Sequence, residues 1–191
     1  MWRTLKILLF LWPIPVMAYF FYNYIFDQAQ IDKKLIEAHG LLWRNGEKHI
    51  TVNVTQSSSG ELNSYEIILI DNDNNILQKD LFIVDGDMFG GGFVKAIQAD
   101  KDQNLELIAW GSHERKRSYL LDYSEGEIIK TGFDKLPEEI HELTRQWHQA
   151  YVTNGMTLAV FGILSISYYG MVMTIWLIIK SVQRIKKRKE L

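Results

Sequence analysis

The feature that most constrains this 191-residue chain is a pair of charge-free apolar runs at its opposite ends, residues 7–26 and 156–179. Each matches the roughly 20 apolar residues that cross a bilayer as a helix. In hydrocarbon every backbone N–H and C=O must be satisfied within the segment, so both runs are expected to be helical, with Pro13 and Pro15 bending the first. The alternative, two core helices of a soluble protein, asks a chain of 191 residues to bury both lengths.

Orientation follows from Lys and Arg, which are retained on the cytoplasmic side of a span. Arg3 and Lys6 precede the first run; Lys180, Arg184, Lys186, Lys187, Arg188 and Lys189 follow the second. Residues 1–6 and the tail 180–191 are therefore expected to be cytoplasmic and the middle of the chain extracytoplasmic. A cleaved signal peptide competes for the first run, with residues 1–6 as its basic region and Val16, Met17 and Ala18 as its cleavage site. Apolar sequence continues past that point through Tyr19, Phe20, Phe21 and Tyr22, which favours an uncleaved anchor. Beside a membrane the basic tail can also hold anionic headgroups, although a plain topology signal explains it.

The ends hold eight of the 21 basic residues and one of the 23 acids, leaving 13 and 22 for the middle, a net charge near −9. Such a segment repels nucleic acid and anionic lipid. The chain has no cysteine, so disulfides, thiolate metal sites and catalytic thiols are excluded. A domain standing on its apolar core alone suits a bacterial periplasm, and the expected location is the inner membrane.

From 27 to 46 the apolar residues Ile31, Leu35, Ala38 and Leu42 recur at helical spacing, predicting a helical stalk. Pro137, Glu138 and Glu139 mark a helix start, and residues 135–155 are expected to lead as a helix into the second span. Between them, 47–134 carries seven strand-like runs, at 49–55, 65–70, 76–84, 93–98, 105–110, 118–123 and 127–133, separated by Gly-, Asn- and Asp-rich turns. The expected fold class is a membrane α-helical hairpin with an inserted β-rich, mostly antiparallel α+β extracytoplasmic domain: a small sandwich, an open barrel or two propeller-like blades.

Three groups of residues are candidates for binding. Asp100, Asp102, Asn104 and Glu106 alternate along a turn entering a strand and offer the hard oxygens that Ca2+ prefers. With Leu107, Ile108, Ala109 and Trp110 behind it, this turn resembles the calcium turns of FG-GAP and VCBS-type propeller repeats over fewer than a dozen residues; the resemblance implies a Ca2+ ligand set. The repeats that would close a propeller are missing, and Asp71, Asp73 and Asn75 form a weaker copy. Asp and Asn also form turns without metal, by capping nearby N–H groups, and that reading is preferred, with no cofactor expected. The loop Met88, Phe89, Gly90, Gly91 and Gly92 is glycine-rich with an apolar tip and is a candidate contact for a partner protein, against a plain wide hairpin. Gly155, Ala159 and Gly162 form a small-residue stripe on the second span where another helix could approach.

Catalysis finds no motif. The histidines, His39, His49, His113, His141 and His148, are scattered, and no nucleophile, base and orienting group converge in sequence. The expected function is a non-catalytic accessory or scaffold subunit of an inner-membrane complex, whose partners are other membrane subunits and the bilayer. A membrane-anchored ligand or calcium sensor acting through a partner is the alternative, and a cell-envelope enzyme or biogenesis factor a second.

Overall fold

The structure, a computed structural model, is described over residues 10–85, 91–100 and 102–189, with side chains as far as Ile185. The chain forms two compact units, one from its two ends and one from residues 26–153.

The second unit is built on two four-stranded antiparallel sheets, each a meander in chain order. β1 (Leu41–Asn45), β2 (Lys48–Ser59), β3 (Leu62–Asp71) and β4 (Ile76–Asp85) form the first; β5 (Gly92–Ile97), β6 (Glu106–Gly111), β7 (Tyr119–Ser124) and β8 (Glu127–Gly132) form the second. The tight connection between β7 and β8 depends on its residues, Glu125 and Gly126, both at positive φ, the geometry that matches the twist of a two-residue hairpin.

Side-chain alternation explains the layering. In β3, Tyr65, Ile67 and Leu69 are buried while Glu66, Ile68 and Ile70 are not, so the first sheet covers one face only. β6 is buried at every position. Its Leu107 and Ala109 join Val52, Ile67, Phe82 and Leu121 in a core between the sheets. Ile108 and Trp110, on its other face, pack with Phe93, Ile140 and Leu143 in a second core. A strand covered on both faces reads as a continuous apolar run. Ile140 and Leu143 come from α2 (Glu138–Trp147), an amphipathic helix, so the second sheet is the middle of three layers. Ile31, near the end of α1 (Pro13–Asp32), lies in the same core as α2. The edge of β5 is covered by Ile36, which exchanges two backbone hydrogen bonds with Ala96, both 2.8 Å.

The helical stalk expected over 27–46 does not form. α1 stops at Asp32, and Leu41–Asn45 is β1, which adds an eighth strand and starts the β-region before residue 47. The helical spacing of Ile31, Leu35, Ala38 and Leu42 is overridden because those residues go to different places: Ile31 and Leu35 to the helix-side core, Ala38 to the core between the sheets, and Leu42 to the surface. Trp43 then pairs across from Ile50 and is wholly buried. Over 135–155, α2 is followed by a π-helical stretch, His148–Thr153, before α3 (Asn154–Lys189) begins.

In the first unit, contacts of α1 and its preceding turn with α3 are aromatic. Phe20 meets Phe161 at a ring separation of 4.6 Å, Trp12 meets Tyr168 at 5.8 Å, and Tyr169 donates to the Phe10 carbonyl at 2.9 Å. Rising numbers on one helix meet falling numbers on the other, so the two run in opposite directions. Among the described residues one helical stretch, Glu138–Ile185, is long and apolar enough to cross a membrane. Residues 7–9 of the first apolar run and residues 1–6 lie outside the described set.

Candidate functional site

The candidate site is the acidic corner where β5 turns into β6. Asp100 Oδ1 accepts from the Asp102 N–H and Asp102 Oδ1 from the Asn104 N–H, both at 2.7 Å. Gln98 Nε2 donates to the carbonyls of Asp100 and Asp102, at 3.0 and 3.2 Å, closing the turn. These are side-chain turns of the kind Asp and Asn form locally.

Asn104, a candidate ligand by sequence, is committed elsewhere. Its Oδ1 accepts from the Arg44 N–H at 2.8 Å, and its Nδ2 donates to the carbonyls of Arg44 and Tyr123, both at 3.1 Å. The side chain thus staples β1, the β5–β6 turn and β7 together. Beside it the buried Trp43 indole donates to the Leu105 carbonyl and stacks on Tyr123 with its ring plane tilted by 15°.

Asp100, Asp102 and Glu106 do converge, with carboxylate oxygens within 4.8 Å of one another. Glu106 is only 2% exposed. Its Oε2 accepts from the Ala99 N–H at 2.6 Å, while Oε1 is sealed from solvent without a hydrogen-bond partner. Burial pushes the Glu106 carboxyl up to about 7, and the adjacent Asp100 carboxylate adds to the rise.

A fourth acid, Asp122 on β7, was invisible as a site residue in the sequence. The pairing of Leu107 with Leu121 brings Glu106 and Asp122 side by side at the same end of the β6–β7 ladder. Burial, then the charges of Asp102 and Asp100, raise the Asp122 carboxyl, and its Oδ1 is also buried without a partner. The two acids stand sixteen positions apart in the chain, so only the strand register reveals the juxtaposition.

The weaker copy of the turn is different. Asp71 Oδ1 accepts from the N–H groups of Asp73 and Asn75, and Oδ2 accepts from Asn75 Nδ2. These hydrogen bonds hold its carboxyl below the usual range, and both oxygens are used in capping the turn.

Met88, Phe89 and Gly90 lie outside the described residues. Gly91 and Gly92 have a packing role. A Cβ on Gly92 would come 2.3 Å from the Trp110 carbonyl oxygen and 2.8 Å from Val84, so β5 approaches β6 as only glycine allows. Gly92→Ala is expected to cost about 1–3 kcal/mol, the usual penalty of overpacking. The check is a lowered urea midpoint with the slope unchanged.

Of the small-residue stripe, Gly155 faces α1, where an added Cβ would be 3.5 Å from Tyr24. Gly162 would meet nothing within 4 Å and Ala159 is exposed, so the contact with α1 is made by Phe161, Tyr168 and Tyr169 instead.

The histidines stay apart from this corner. His39 Nδ1 lies 3.1 Å from the Val54 carbonyl, His113 lies 3.9 Å from Asp85, and His141 packs edge-on to Phe133. His148 borders a separate cleft with Trp110 and Arg115, where burial and then the Arg115 charge lower its pKa. Along α2 a groove of about 790 Å³ is lined by Lys33, Lys34, Ile97, Glu138, Glu142 and Gln146, with both signs of charge interspersed.

No family model, curated protein or solved structure matches the chain.

Proposed function

We propose that this protein is a non-catalytic accessory or scaffold subunit of a bacterial inner-membrane complex, held by two spans with both ends cytoplasmic and its β domain periplasmic. The observation that carries the reading is the surface of α3. Ile163, Ile166 and Met171 stand 65%, 75% and 64% exposed on a run without a single charge. Lipid solvates such a surface and water does not. Tyr19, Phe21 and Tyr22 give α1 a similar exterior, and Lys180 lies 4.2 Å over the Trp176 ring, a pairing suited to the membrane interface. For partners, the outer face of the first sheet offers Leu42, Leu81 and Ile83 to solvent.

Because the chain has no cysteine, single introduced thiols test the topology without background. Ser58→Cys, on the exposed end of β2, is expected to react with a membrane-impermeant maleimide on intact spheroplasts. Ser181→Cys is expected to react only after permeabilisation. The reverse pattern would overturn the orientation. Purification in mild detergent is expected to bring a near-stoichiometric membrane partner; recovery of the protein alone would overturn the subunit reading in favour of the sensor.

A charge on α3 tests the span itself. Ile166→Arg places a guanidinium near the centre of the apolar run and is expected to cost about 2.5–3.5 kcal/mol of insertion free energy. The variant should shift from the membrane fraction to a degraded or soluble form, whereas Ser58→Arg should not.

A further inference from the structure

We propose that Asp100, Asp102 and Glu106 bind one divalent cation, with Ca2+ the best match to an all-oxygen donor set. Two independent observations carry it. The first is geometric: three carboxylates from one turn and one strand place oxygens within 4.8 Å of one another. The second is the state of Glu106, a member of that cluster only 2% exposed, whose Oε1 is sealed from solvent with no hydrogen-bond partner. A buried carboxylate oxygen without a partner carries a large desolvation cost, and a cation bound by its neighbours removes it.

Among the described residues no Lys, Arg or His is ion-paired with these three acids. Asp122 brings a fourth carboxyl to the same ladder end, where like charges side by side are destabilising unless a counter-charge intervenes. Asn104 is not a ligand, since its amide is fully engaged by Arg44 and Tyr123. Calcium takes six to eight oxygens, so water completes the shell. Asp100 and Asp102 are exposed, which gives that water access. A site with so few protein ligands belongs to the weak class of extracellular modules, with Kd roughly 10⁻⁴–10⁻³ M. Its structural effect is to tie the β5–β6 turn to the buried start of β6.

The test uses the full-length protein in mild detergent, stripped with chelator and titrated with CaCl2 at constant ionic strength, with MgCl2 as a parallel arm. Thermal unfolding is expected to rise by roughly 3–6 °C at a tenfold excess of Ca2+ over Kd, saturably, and by less with Mg2+. Glu106→Gln keeps the acceptor for the Ala99 N–H and removes the buried charge. In chelator it is therefore expected to be at least as stable as the native protein, and it should lose the calcium response. Asp102→Asn should weaken the response without abolishing folding. A native protein indifferent to Ca2+, or a Glu106→Gln variant that responds equally, overturns the proposal.

Discussion

Trp43→Ala is expected to lower the unfolding free energy of the β domain by about 3–5 kcal/mol, the range for deleting a large buried aromatic. The indole is wholly buried on β1, stacks on Tyr123 of β7, and donates to the Leu105 carbonyl next to the acidic corner. It is thus a direct link between the two sheets at the edge where β1 meets β7. Truncation leaves a cavity in the shared core and strips a partly buried carbonyl of its donor. Domains have only about 5–15 kcal/mol of stability in total, so the variant should be close to unfolding at 37 °C. Trp43→Phe retains much of the volume and loses only the N–H, so it should cost less than half as much. Urea unfolding followed by far-ultraviolet circular dichroism measures both; a loss below about 1 kcal/mol for the alanine variant would show that the two sheets are not joined through this residue.

The second large effect is at Asn104. Alanine there removes one acceptor and two donors and leaves the Arg44 N–H, the Arg44 carbonyl and the Tyr123 carbonyl short of a partner. At about 1–3 kcal/mol for each group left unsatisfied in the interior, and allowing for partial rescue by water, the expected loss is about 3 kcal/mol. Aspartate is nearly the same size but cannot donate. It would set a carboxylate against two carbonyl oxygens and add a charge beside Asp102, so Asn104→Asp should be less stable than Asn104→Ala despite its closer shape. The order of the two urea midpoints decides the matter. If aspartate is tolerated better, Asn104 faces a cation and not the two strands.

The contrast between Asn104 and Glu106 illustrates how far the sequence could be read. The alternation Asp100, Asp102, Asn104, Glu106 is legible as an oxygen-rich turn, and the turn hydrogen bonds are present. Which of the four is buried, which is diverted to another strand, and that Asp122 joins them depend on β1 and β7 arriving from 60 residues before and 19 residues after Asn104. No local pattern encodes that. The segment 27–46 departs from its helical spacing for a related reason. Its apolar spacing fits one helix face, yet Ala38 and Ile31 serve different cores, and Trp43 gains more from a sheet interior than from a helix surface.

Short-range hydrophobic pattern determines the two charge-free terminal runs, the helix beginning after Pro137 and the central strands, because each rests on the period of a single element. Tertiary packing alone settles that the meander divides into two stacked sheets, that β6 is covered on both faces, that residues 41–45 are a strand, and that one glutamate in an exposed-looking acidic turn is sealed inside. The physical reason is that burial belongs to what lies against a residue, and here the covering groups come from elements far away in the chain.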